Sequence, residues 1–97
     1  MTVVINGTTG ITNVDGSASA PAITGTDTDT GMWTPAANTL AWSTGGSERM
    51  RVDSSGNVGI GTSSPADSGS YGRALDVNGT TGAAIYARTN GSATNYA

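Results

Sequence analysis

Of the side chains that usually carry out protein chemistry, this chain keeps carboxylates, hydroxyls and four guanidinium groups, and it contains no His, Cys or Lys. The common nucleophile–base pairs and the usual transition-metal ligand sets therefore cannot be assembled. Carboxylate chemistry remains, since a pair of acids can hydrolyse a glycosidic bond. Asp27, Asp29 and Glu48 are the candidates, but each stands beside a predicted turn, where Asp ordinarily bonds its own backbone. The expectation is no catalytic residue and no cofactor. Asp27-Thr28-Asp29-Thr30-Gly31 has the D-x-D-x-G opening of a calcium loop and makes Asp27 and Asp29 the metal candidates. It lacks the later bidentate acid of such a loop, so the two are read as solvated carboxylates shaping the start of a strand from Gly31 to Thr34. Arg49 and Arg51 suit either acidic surface sugars or pairing with Glu48, Asp53 or a neighbouring subunit's carboxylate. Trp33 suits a sugar platform or intersubunit packing. These three are the candidate glycan or intersubunit contacts.

The elements that must position these residues follow from composition. In 97 residues, 35% are hydrophobic and 11% charged, with 15 Gly and much Ser, Thr and Asn. Such a chain is neither a charge-rich disordered tail nor a helical protein; Thr favours strands and Gly favours turns. The net charge of −3 gives no electrostatic reason to bind nucleic acid or an anionic membrane. No stretch approaches a membrane-spanning length. The run Val3-Val4-Ile5 stops at Asn6-Gly7, lacks a basic flank and is too brief for a signal-peptide core. Without Cys, no disulfide can staple a small fold.

The most informative stretch is Asn38 to Gly61, NTLAWSTGGSERMRVDSSGNVGIG, which reads as a three-stranded antiparallel meander. A three-residue loop at Thr44-Gly45-Gly46 sets Leu40 opposite Met50 and Trp42 opposite Glu48. The same loop length at Ser54-Ser55-Gly56 pairs Val52 with Val58 and Met50 with Ile60. Leu40, Trp42, Met50, Val52, Val58 and Ile60 then share one apolar face, while Ala41, Ser43, Arg49, Arg51, Gly59 and Gly61 share the other. A two-residue turn at Gly45-Gly46 would instead set Trp42 against Arg49 and Leu40 against Arg51, so register selects the longer loop. Six apolar side chains are too few to fold a lone sheet against its conformational entropy. Covering the stripe with further copies of the chain is the physical inference, and the six residues become the predicted core of a trimer.

Residues 1–25 read as an N-terminal attachment segment: a strand, an Asn6-Gly7 turn, a second strand through Ile11, a turn at Asp15-Gly16, and an extended stretch in which Pro21 confines any strand to an edge. Residues 26–65 form the meander module. The strand Gly31 to Thr34 precedes it, with Met32 or Trp33 opposite Leu40 according to loop length; Met32 inward and Trp33 outward is the preferred parity. Residues 66–97 read as linker and the start of a further module, with a boundary in Thr62 to Gly72, strands at Arg73 to Val77 and Ala83 to Ala87, and an Asn90-Gly91 turn. The word NGTTG occurs at Asn6 to Gly10 and again at Asn78 to Gly82. The sequons at Asn6, Asn78 and Asn90 are read as Asn-Gly turns. The end has no cap or closing element, and the polypeptide is expected to continue beyond Ala97.

The phrases STGGSERMRVDSSGNVGIGTSSP and INGTTGI with its following VDGSASAPAI resemble segments of bacteriophage tail fibre and tail-fibre-like proteins, especially of marine phages. The resemblance runs from Thr2 to about Gly79. It implies a trimeric, elongated, β-rich virion protein with an attachment end and a distal receptor-binding end. Many such proteins carry a C-terminal chaperone domain released by a Ser–Lys dyad, which a chain without Lys cannot hold. Capsule-degrading relatives need a far larger β-helix.

Composition, patterning and resemblance together predict an all-β fold of short antiparallel meanders assembled as a trimeric, elongated β-prism. The expected role is a structural, non-enzymatic fibre component of a phage virion, made in the host bacterial cytoplasm and partnered by other virion proteins. The alternatives are an adhesin contacting host surface glycan, or a head or neck fibre or capsid decoration protein of the same fold. Neither nucleic acid nor membrane insertion is expected.

Overall fold

The computed structural model describes residues 4–12, 14–67, 69 and 71–86. These residues are all-β, with no helix. Eight short strands follow in chain order: β1 (Val4–Asn6), β2 (Gly10–Thr12), β3 (Ile23–Thr24), β4 (Gly31–Trp33), β5 (Leu40–Thr44), β6 (Ser47–Val52), β7 (Val58–Ile60) and β8 (Leu75–Val77). β1 and β2 form a hairpin of their own, with Ile5 opposite Ile11. The other six form one sheet in the order β3-β4-β5-β6-β7-β8, antiparallel except for the parallel pair β7–β8.

The first meander hairpin differs from the sequence expectation. Thr44 pairs with Ser47, so the turn is Gly45-Gly46 alone, with φ of 57° and 77°. Positive φ at both central residues is the turn type that matches the twist of paired strands, and two glycines adopt it without steric penalty. The predicted partners Leu40–Met50 and Trp42–Glu48 are replaced by Leu40–Val52 and Trp42–Met50. Uninterrupted alternation would have put Arg49 and Arg51 in those places. A β-bulge between Ser43 and Trp42 on the facing strand absorbs one extra residue of β6, and this restores the apolar pairing. The bulge also moves Glu48 off the apolar face, because its cross-strand partner is Ser43.

The second hairpin has the expected loop. Gly56 N–H donates to Asp53 O at 2.9 Å and Asp53 N–H to Asn57 O at 3.0 Å, closing Ser54-Ser55-Gly56 with Gly56 at φ 83°. Val52 faces Val58 and Met50 faces Ile60. The Asp53 carboxylate accepts the N–H groups of Ser55 and Asn57, at 3.0 and 2.9 Å, and sets the turn.

On the N-terminal side, β4 pairs with β5 so that Met32 faces Trp42 and Trp33 faces Ala41. Neither residue stands opposite Leu40; the connection is longer than either loop considered, with Asn38 in the left-handed region at φ 55°. The preferred parity of Met32 and Trp33 is kept. Beyond β7 the stretch read as a linker returns alongside the sheet. Asn57, buried, accepts the Ala74 N–H through Oδ1 at 2.8 Å, while Val58 N–H donates to Ala74 O at 2.9 Å. β8 is thereby held parallel to β7, in the same sheet as the meander rather than in a separate one. Residues 83–86 are not a strand, and the predicted turn at Asn90-Gly91 lies outside the described residues.

Candidate interaction face

Cross-strand partners project from the same side of a sheet. Following the ladders across all six strands gives one row of Ile23, Met32, Trp42, Met50, Ile60 and Val77. A second row runs Leu40, Val52, Val58 and Leu75. The six stripe residues thus lie together on one face, which Ile23, Met32, Leu75 and Val77 extend to both sheet edges. None of the ten is buried; Ile60 is 40%, Ile23 56% and Leu75 58% exposed. At the β3 corner, a cavity of about 460 Å³ opens between the face and the first hairpin, lined by Ile11, Val14, Ala22, Ile23, Met32 and Leu40 among others.

The opposite face has small residues at its centre and is closed there. Ala41 is 0% and Ser43 2% exposed, and Gly59 is buried. Trp33 lies on this side and donates its indole N–H to Ser43 Oγ at 2.7 Å. Arg51, opposite Ala41 and Gly59, grips Glu48 in a bidentate pair with N···O distances of 2.7 and 2.5 Å. Both side chains are largely covered, at 16% and 14% exposure. The Glu48 carboxylate raises the Arg51 guanidinium above its ordinary value against a smaller opposing effect of burial. The chain itself supplies the cover. Thr62 to Pro65 fold back so closely that a Cβ on Gly59 would meet Pro65 Cγ and Thr62 O, and Pro21 approaches Gly31 from the other end.

The remaining sequence candidates sit apart from the apolar face. Arg49, the extra residue of β6, is exposed and donates Nε–H to Thr44 Oγ1 at 2.8 Å. Asp27 and Asp29 share a hydrogen bond that lowers the Asp27 carboxyl and raises that of Asp29, whose rise the neighbouring charge reinforces. Thr30 Oγ1 donates to Asp27 at 2.9 Å. The Asp29 carbonyl accepts the Gly46 N–H at 2.9 Å and Thr30 Oγ1 the Gly45 N–H at 3.2 Å, so the turn at 27–30 props the Gly-Gly hairpin. Among the described residues, no group of three or more acidic side chains gathers to hold a metal ion. Glu48, the third acid considered for glycan chemistry, is engaged by Arg51. The extension of the face to Leu75 and Val77 was signalled only by the alternation Leu75-Asp76-Val77 beside an assumed boundary.

No family model, no curated protein and no solved structure matches the chain.

Proposed function

We propose that this protein is a structural component of a phage virion fibre: a homotrimeric shaft segment, attached to the particle through its N-terminal residues, that projects a distal host-recognition element. The observation that carries the reading is the inverted assignment of the two sheet faces. Small residues are packed under the chain's own loops, while none of the ten large apolar side chains on the other face is fully buried: Ile23, Ile60 and Leu75 are exposed and the other seven half-buried. A monomer stable on its own account would bury the large residues, since each contributes about 1.5–3 kcal/mol when fully removed from water. Sister copies whose faces meet around a common axis cover them without further sequence, and the resemblance to tail-fibre segments selects three copies. The Gly-rich turns keep each layer narrow. Such a shaft works mechanically: paired strands and a dry core hold the far end in position.

The adhesin alternative is weakened at Trp33, whose indole N–H is committed to Ser43 rather than turned to solvent. Light scattering on the purified protein tests the proposal. The expected mass is three times the 9.6 kDa of the chain. A compact monomer with a cooperative melt in dilute buffer would overturn it, and a dimer would replace the prism with a two-sheet sandwich.

A further inference from the structure

We infer that Asn6 is a site of spontaneous deamidation, primed by the first hairpin. Of the Asn-Gly pairs, Asn6-Gly7 stands at the end of β1 in an exposed loop. The Thr8 N–H donates to Asn6 Oδ1 at 2.8 Å, which folds the side-chain amide back over the following backbone. Among the described residues no acceptor takes the Gly7 N–H, and apart from its neighbours Asn6 and Thr8 no residue comes within 4 Å of where a Gly7 Cβ would stand.

The reaction balances without an external catalyst. The Gly7 nitrogen, having given its proton to solvent base, forms a bond to Asn6 Cγ. The carbonyl electrons move onto Oδ1, where the Thr8 N–H already points at the developing charge, as the donors of an oxyanion hole do. Collapse expels the side-chain nitrogen, protonated, as ammonia and leaves a five-membered succinimide. Water then opens either carbonyl to give Asp or isoAsp. One water is consumed and one ammonia released.

The other asparagines among the described residues lack this combination. Asn57 is buried, its Oδ1 is held by Ala74 N–H, and the following Val58 N–H is engaged. Asn38 precedes the β-branched Thr39. Asn78 has the same Gly successor, but among the described residues no hydrogen bond orients its side chain, and its own N–H donates to Ile60 O at 2.9 Å. Conversion at Asn6 adds a negative charge beside Gly10, its cross-strand partner, and isoAsp inserts an extra backbone carbon that breaks the Asn6–Gly10 register.

Peptide mapping by mass spectrometry of the intact protein, aged at mildly alkaline pH with and without urea, tests this. Asn6 is expected to gain close to one mass unit several-fold faster than Asn78, and several-fold faster in the folded than in the unfolded chain. Gly7→Ala, which the open space around Gly7 tolerates, should slow Asn6 and leave Asn78 unchanged. Equal rates in folded and unfolded chains, Asn78 ahead of Asn6, or an unaffected Gly7→Ala variant would overturn the inference.

Discussion

Gly59→Ala is a direct probe of which face of the sheet is closed. Gly59 lies in the middle of β7, opposite Arg51, and its φ is outside the left-handed region, so an added methyl brings no backbone strain. In an open strand, Ala in place of Gly would stabilise by about 0.5–1 kcal/mol through lost unfolded-state freedom. Here the new Cβ stands 2.6 Å from Pro65 Cγ and 2.8 Å from Thr62 O, with Thr62 Cγ2 at 3.1 Å. Forcing that segment outward costs about 1–3 kcal/mol. Taking the middle of each range, about 2 against about 0.75 kcal/mol, the net is a loss of about 1.25 kcal/mol, or roughly 5–10 °C in Tm for a domain of this size. The assay is thermal unfolding at one fixed protein concentration, because association itself raises the apparent Tm. Adding Pro65→Ala removes one of the clashing atoms, and the pair should recover part of the loss non-additively. A Gly59→Ala protein that melts higher than the parent would refute the closed second face, and with it the claim that the large apolar face is the one left for a partner.

Further expectations separate association from chain stability. Trp42→Asp, in the middle of the longer apolar row, should weaken self-association by at least about 2–3 kcal/mol per chain by burying an unpaired charge; sedimentation at graded concentrations reads this as dissociation to monomer. Glu48→Gln removes one charge of a bidentate, largely covered pair and should lower stability by about 1–3 kcal/mol in denaturant titrations, with less effect from the double variant Glu48→Gln with Arg51→Met than from either change alone. Because the Arg51 value is raised, its contribution is fully present below the ordinary guanidinium value and is lost only as pH climbs through the still higher folded value, so the effect of this pair should be flat from neutral into mildly alkaline buffer. Asp29→Asn should raise Tm at neutral pH: the raised Asp29 carboxyl favours the fold only while protonated, an advantage lost as pH rises through its folded value, whereas Asn donates to Asp27 at every pH. The gap between Asp29→Asn and parent should close in acid, where Asp29 holds its own proton.

The strand content, the turn at Ser54-Ser55-Gly56 and the pairing of Val52 with Val58 could be read from alternation and turn residues, because a three-residue loop ending in a left-handed Gly leaves one register. The first hairpin was less legible. Parity required an odd number of residues between Leu40 and its apolar partner, and the sequence offers two ways to supply it: a longer loop, or a short loop with a bulge. Gly45-Gly46 suits the short loop, yet nothing in Ser47-Glu48-Arg49 announces the bulge. Its energetic reason lies in the folded sheet, where it sets Glu48 on the same side as Arg51 and lets the two pair under cover. Strict alternation would hold them on opposite faces. The return of β8 was hidden for a similar reason. TSSPADSGSYG has a linker's composition, and the bond that captures it, from Ala74 N–H to the Asn57 amide, joins residues whose types promise nothing in particular.

The apolar face itself was legible in its six central residues but not in its extent, and its extent bears on how the chain assembles. A three-strand stripe flanked by polar edges could be capped by a single helix or loop. A face that carries Ile23 at one edge strand and Leu75 with Val77 at the other has no polar rim within the sheet, so a partner must be at least as wide as the six strands, roughly 24 Å at the usual interstrand spacing. A sheet of the same width meets that condition most simply, and a copy of the same chain is such a sheet. The edge strands add a second condition: among the described residues, β3 and β8 each present one unpaired side, which two stacked sheets leave open and a closed ring of sheets brings to its neighbours. In the proposed assembly, a ring would cover the face and shield the edges by one arrangement, which a pair would not, and this support for the proposal does not draw on any likeness in sequence.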